Sequence, residues 1–390
     1  MVRRWVTLSV ALVLTTLPLA AQDDIFADDF ETGGTSRWSE TVGLIITFEL
    51  GHRSMTWVDP SRSNRSVPAE VYYPATTAGD EVPFAAGAFP VVVCGHGFMQ
   101  TADSPLNVAE VLVPGGYIVA LPATETGFPM DHLDFGLDVG FVAQSLEAEG
   151  ASASSPFFGH VGDRLAAAGH SAGGGAAHLA ASSFPGLFHS IATMAAARTD
   201  PDSVAAAQSL TIPALYLADD RNCALEAGGA PVDHYNASGA SCKALLTILD
   251  GLHCSYVYPN FWCTSVDCSS GIDPELQRQI VADYLRPWLD WVLKNDAAAL
   301  ASFDALASSD PRLASYQQEG CVGESGQQAR GDDFTPSRTS APGPGPLATG
   351  TNRGSSPAEA ISSSQVARGN SPSTCRSWTT SVDPSSRRSR

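Results

Sequence analysis

Two short runs of this chain are apolar at every position, Phe89–Cys94 (FPVVVC) and Tyr117–Pro122 (YIVALP). A strand of that composition has no face to offer water, so it belongs inside a sheet covered on both sides. Further strand-like pieces lie at Ser190–Ala195, Ile212–Ala218 and Ala244–Leu249, and an apolar stretch at Arg164–Ala168. Leu44–Leu50 and Ser66–Tyr73 read as an early antiparallel pair. Helix-like pieces fall between them. Ala109–Pro114 is short, Phe135–Glu149 carries helical spacing at Leu137, Val139, Phe141, Val142 and Leu146, and Ala176–Ser182 is made of small residues. Asp273 followed by Pro274 is an N-cap with proline at the first helical position, opening a helix that runs through Asn295 with a kink expected at Pro287. The alternation predicts an α/β fold class, a mainly parallel central sheet with helices on both faces.

The ends of the chain differ from this body. Arg3 and Arg4 precede an apolar run, Leu8–Leu19, and Leu19-Ala20-Ala21 supplies a small residue at a cleavage point. That pattern predicts a secretory signal peptide over residues 1–21, and an extracellular or periplasmic destination. The run falls short of the roughly 18 residues a membrane span needs, and no later run reaches that length. Residues 22–42 read as an acidic linker segment. The folded domain is expected over 43–319. From 320 to 390 Ser, Pro, Gly, Thr and Arg dominate, a composition that buries too little surface to offset its ordering entropy, so this tail is expected to be disordered.

Hydrophobic residues are 44% of the chain, enough for a large core. The net charge of −19, with lysine only at Lys243 and Lys294, argues against a nucleic-acid partner. A monomer is expected.

The chemistry centres on Gly169-His170-Ser171-Ala172-Gly173, a G-x-S-x-G pentapeptide between an apolar stretch and a helix-forming one. A nucleophilic serine on a sharp strand-to-helix turn has strained dihedrals, and its neighbours two residues away must be small. An oxyanion hole would then use the backbone N–H groups of Ala172 and of Phe98, which follows Gly95-His96-Gly97. The base must follow the nucleophile in chain order, which leaves His178, His189, His234 and His253. His253 occupies the loop after the strand Ala244–Leu249, where such a base belongs. An acid should end the strand Ile212–Ala218, where the chain reads Asp219-Asp220-Arg221-Asn222-Cys223. Phe98, Met99, His170, Phe261 and Trp262 are candidates to line an apolar substrate cleft.

Five pieces in this order and spacing carry a resemblance: PVVVCGHGFMQ, LVPGGYIVALPATE, AAAGHSAGGGAA, TIPALYLADDRNCAL and SCKALLTILDGLHC. Together they resemble the α/β-hydrolases, more narrowly the secreted polyester hydrolase and cutinase branch with its chlorophyllase-like and platelet-activating-factor acetylhydrolase-like relatives. The likeness spans about Phe89 to Cys254, and more weakly to about Asn295. It implies an α/β-hydrolase fold, with Ser171 as nucleophile, His253 as base and no metal or organic cofactor. In relatives sharing the cysteine pattern the acid directly precedes the first cysteine, where this chain has Asn222. Asp220 is the favoured replacement, with Asp219 and Asn222 itself as alternatives. The implied activity is ester hydrolysis on small or polymeric esters. The rivals are a non-catalytic binding protein disabled at Asn222, and a serine peptidase or acyltransferase on the same fold.

Cys223, Cys242, Cys254, Cys263 and Cys268 cluster without the paired C-x-x-C spacing of a metal site, so disulfides are expected. Five is odd, and Cys321 is a candidate partner for the remaining one. Cys94, closing a buried strand, reads as a core thiol.

Overall fold

A computed structural model describes residues 47–221, 223–224, 229–258 and 261–321 of the protein. The leader, the linker and Asn222 lie outside the described residues, as does all of the expected tail except Gly320 and Cys321.

The molecule is a mixed α/β fold built on one ten-stranded sheet, mostly parallel. An antiparallel hairpin comes first, β1 (Glu49–Asp59) with β2 (Arg65–Ala75), and a short β3 (Gly79–Asp80) adds to its edge. The first expected strand is thus displaced. It runs through the alternating stretch around Met55 and Trp57, whose single half-buried face suits an edge hairpin rather than a buried strand.

The chain then enters the parallel core at β4 (Phe89–Gly95), passes through α1 (Leu106–Leu112), and returns at β5 (Ile118–Pro122) beside β4. After α2 (His132–Ala151) it comes back on the other side of β4 as β6 (Val161–His170). From there it winds one way only. α3 (Ala172–Ser183) leads to β7 (Ser190–Met194), α4 (Ser203–Ala207) to β8 (Ala214–Arg221), and α5 (Gly229–Ala237) to β9 (Lys243–Leu252). A short α6 (Phe261–Val266), the long α7 (Pro274–Lys294) and α8 (Ala297–Ala307) precede β10 (Leu313–Glu319), which closes the edge antiparallel to β9. The spatial order is β10-β9-β8-β7-β6-β4-β5-β2-β1-β3.

Strand residues alternate between two cores. Val92, Cys94, Ala166 and Ala168 pack with α1 and α7, while Val91, Val93, Leu165 and Ala167 pack with α2 and α3. Both faces of the sheet are therefore covered, as runs apolar on both sides require. Asp273 caps α7 as expected, accepting from the N–H groups of Glu275 and Leu276, and the helix continues past Pro287. β10 was not foreseen. Its sequence, LASYQQE, is polar because only one of its edges and part of one face meet the protein.

The winding decides where a site can form. β4 and β6 are neighbours, but β4 exits to α1 on one face and β6 exits to α3 on the other. Their C-terminal ends diverge and leave a crevice at this switch point.

Candidate active site

Ser171 sits in that crevice, between the last residue of β6 and the first of α3. Its backbone has φ 55° and ψ −120°. A side chain other than glycine in such a region costs about 1–3 kcal/mol and persists only where surroundings impose it. Here they do. The Ser171 N–H donates to the Met194 carbonyl at 3.0 Å, and its own carbonyl accepts from Gly175 N at 3.1 Å and Ala197 N at 2.9 Å. The backbones are in close contact: a Cβ at Gly169 would lie 2.2 Å from the Gly173 oxygen, and one at Gly173 would lie 2.2 Å from the Gly95 oxygen. Both outer glycines of the pentapeptide are thus dictated by packing.

β9 delivers His253 to the same place, at the start of a single 3-10 turn, His253–Tyr256. Its Nε2 lies 3.0 Å from Ser171 Oγ, and both side chains are buried. Burial pushes the imidazole pKa down to about 4, so the ring is neutral at neutral pH and can accept the serine proton at Nε2.

The turn carrying His253 is held by its backbone. The Leu252 N–H donates to Gln277 Oε1, and the Leu252 carbonyl accepts from Gln277 Nε2, both at 2.8 Å. The His253 carbonyl accepts from His170 Nε2 at 2.7 Å. The Cys254 N–H donates to Asp267 Oδ2 at 2.7 Å, and the Tyr256 carbonyl accepts from Asn107 Nδ2 at 3.0 Å. Sequence reading did not single out Gln277, Asp267 or Asn107. One clue was available for Gln277: it lies on the apolar stripe of α7 with Ile280, Val281 and Tyr284, where a polar residue is out of place.

The other histidines are engaged elsewhere. His178 is buried in α3, within 2.8 Å of the Gly174 carbonyl and stacked on His234 at 4.3 Å. His234 Nε2 lies 2.8 Å from Ser203 Oγ.

The two aspartates at the end of β8 part company. Asp219 is buried, and its Cβ lies 3.2 Å from where a Cβ of Gly251 would be, beneath the turn carrying His253. Asp220, the favoured acid, is exposed to solvent, and among the described residues no hydrogen bond or ion pair reaches it. Both faces of β8 are buried as far as Ala218, and Asp219, on the face of Leu215 and Leu217, is the last residue still covered; Asp220 follows where the pairing of β8 with β9 shifts register.

Ala172 is the first residue of α3, so its N–H has no acceptor within the helix and adds to the positive end of the helix dipole. The Phe98 N–H lies in the turn after β4. That turn is braced by the Gly97 N–H donating to Gln100 Oε1 at 2.8 Å and by the buried ring of His96. Among the described residues neither N–H donates a hydrogen bond within the protein.

A cleft of about 180 Å³ opens on Ser171 and His253, walled by Phe98, Met99, Gln100, Trp262 and Val266. Phe98, Met99 and Trp262 were expected there. Phe261 is not in the wall and is 79% exposed. His170 corrects an expectation: it does not line the cleft but is wholly buried behind it, its Nε2 committed to the His253 carbonyl.

The outer wall, α6, buries none of its side chains. Two disulfides tether it, Cys254–Cys263 from within the helix to the turn carrying His253 and Cys223–Cys268 from just beyond it to the end of β8. The third, Cys242–Cys321, ties the residue before β9 to the second residue past β10, so Cys321 takes one of the five clustered cysteines. Cys94 is a buried free thiol. Among the described residues no three His, Cys, Asp or Glu side chains are grouped to hold a metal ion, and no helix is long and apolar enough to cross a membrane. No known protein family matches the chain, and no curated protein matches it in sequence.

Proposed function

We propose that the protein is a secreted serine hydrolase of carboxylic esters, with the α/β-hydrolase arrangement of nucleophile, base and oxyanion hole. One observation carries this reading: a serine held at φ 55° on a strand-to-helix turn, with a buried neutral imidazole nitrogen 3.0 Å from its hydroxyl. Few structural needs call for that strain, and nucleophilic catalysis does.

In the proposed cycle His253 Nε2 takes the Ser171 proton as Oγ attacks the ester carbonyl. The N–H groups of Phe98 and Ala172 receive the oxyanion. Collapse expels the alcohol, which takes the proton back from the imidazolium, and leaves an acyl-serine. Water then gives a proton to His253 and attacks the acyl group. The second collapse releases the carboxylic acid and restores Ser171. Asp219, buried under the turn that carries His253, is assigned the role of offsetting the imidazolium charge. Apart from the catalytic pair, the cleft wall among the described residues carries no ionisable group, which suits an uncharged ester. The three disulfides and the leader-like N-terminus support an oxidising, extracytoplasmic compartment.

The test is hydrolysis of p-nitrophenyl butyrate by the oxidised protein from residue 22, beside Ser171→Ala. Turnover that disappears in the variant supports the reading. A folded protein without turnover would overturn it and favour a binding role for the same cleft.

A further inference from the structure

A base is useful only if its ring is aimed, and here both peptide groups flanking the His253 Cα are gripped by buried side chains. Gln277 holds the peptide before it. Its amide meets Leu252 donor to acceptor and acceptor to donor, both at 2.8 Å, which fixes the orientation of the amide without ambiguity. The pairing of β9 with β10 ends at Ile248, so at Leu252 the Gln277 side chain stands where the next strand would be. His170 holds the peptide after it, donating from Nε2 to the His253 carbonyl at 2.7 Å. His170 is also the residue directly before Ser171, so the elbow grips the base twice, once through the serine hydroxyl and once through this ring.

We propose that His170 and Gln277 are positioning residues of the base, aiming the His253 imidazole at Ser171 through its backbone. The proposal rests on the ester-hydrolase reading above. Burial holds His170 down to about 3, with the neighbouring His253 adding to the shift, so its ring stays neutral and adds no like charge beside the imidazolium.

The test compares three variants with the wild type. His170→Phe keeps a ring and removes the donor; Gln277→Met keeps the length and removes both bonds; His170→Gln restores an N–H donor near the position of Nε2. Active sites are counted with a phosphonate that labels Ser171, so any unfolded fraction is subtracted. Expected per labelled site are a fall in kcat of about 10- to 100-fold in the Phe and Met variants, with KM within about twofold, and recovery of most of it in the Gln variant. The acid limb of kcat/KM, read in assays too brief for unfolding, should move up from about 4 toward the ordinary histidine range as the loosened ring meets water. A merely structural role would lower the number of labelled sites and leave the acid limb where it was. Phe and Met variants with wild-type kcat and acid limb, or a Gln variant as impaired as Phe, would overturn the inference alone. A folded wild type that neither turns over nor is labelled would overturn the ester-hydrolase reading and this inference together.

Discussion

Acidification from pH 7 to pH 5 should remove about a third or more of the stability of this fold, because several of its histidines are buried uncharged. Burial holds His170 down to about 3 and His234 and His253 to about 4, and it holds His178 well below its ordinary value. In the unfolded chain each titrates near 6.5. Near pH 5 the unfolded state therefore binds protons that the folded state refuses. Stability falls as pH drops below about 6.5, and goes on falling until the folded-state midpoints are reached. Each such histidine contributes a slope of about 1.4 kcal/mol per pH unit. His170, His234 and His253 together give about 4 kcal/mol per unit near pH 5, and a loss of about 5–6 kcal/mol between pH 7 and pH 5. A domain's whole stability is about 5–15 kcal/mol. The assay is urea unfolding with disulfides intact, followed by tryptophan fluorescence at several pH values, with about 0.2 M salt to screen the acidic surface. His234→Gln should reduce the slope by about one histidine's share. Stability that is flat from pH 7 to pH 5, or a slope the variant leaves unchanged, would refute the argument from burial.

Three further outcomes are expected. Gly173→Ala puts a Cβ 2.2 Å from the Gly95 oxygen, a backbone atom that cannot turn aside, so it should cost at least about 3 kcal/mol, measured as a lower Tm by calorimetry. Asp219→Asn should lower kcat by about 10³- to 10⁴-fold, while Asp220→Asn, exposed and without a hydrogen bond among the described residues, should change it less than about twofold in steady-state assays. Replacing Cys254 and Cys263 together by alanine should free α6, which buries none of its side chains, and raise KM for apolar esters about tenfold with a smaller effect on kcat; an unchanged KM would mean that Trp262 and Val266 contribute nothing to substrate binding.

What was legible beforehand was local. The apolar runs of β4 and β5 announce strands buried on both faces because no other element suits them. Asp273 with Pro274 marks a helix start because an N-cap and a fixed φ act within one turn. The glycines around Ser171 announce the elbow because one of the close approaches they permit, Gly169 against Gly173, is made within five residues, and the order of Ser171, the aspartates after β8 and His253 follows the winding of a parallel sheet. The tertiary structure alone decided the rest. Which of two adjacent aspartates is buried depends on how the end of β8 meets the turn carrying His253. Whether His170 lines the cleft or meets the His253 backbone depends on where β9, some 80 positions later, ends (the separation from His253 is 83). Gln277 pairs with a backbone 25 positions away, and Gln277, His170, Asn107 and Asp267 converge on the turn carrying His253 from four different parts of the chain. Hydrogen bonds between such distant residues leave no periodicity and no spacing to read, since they exist only once the packing of two cores has set which side chains share a place.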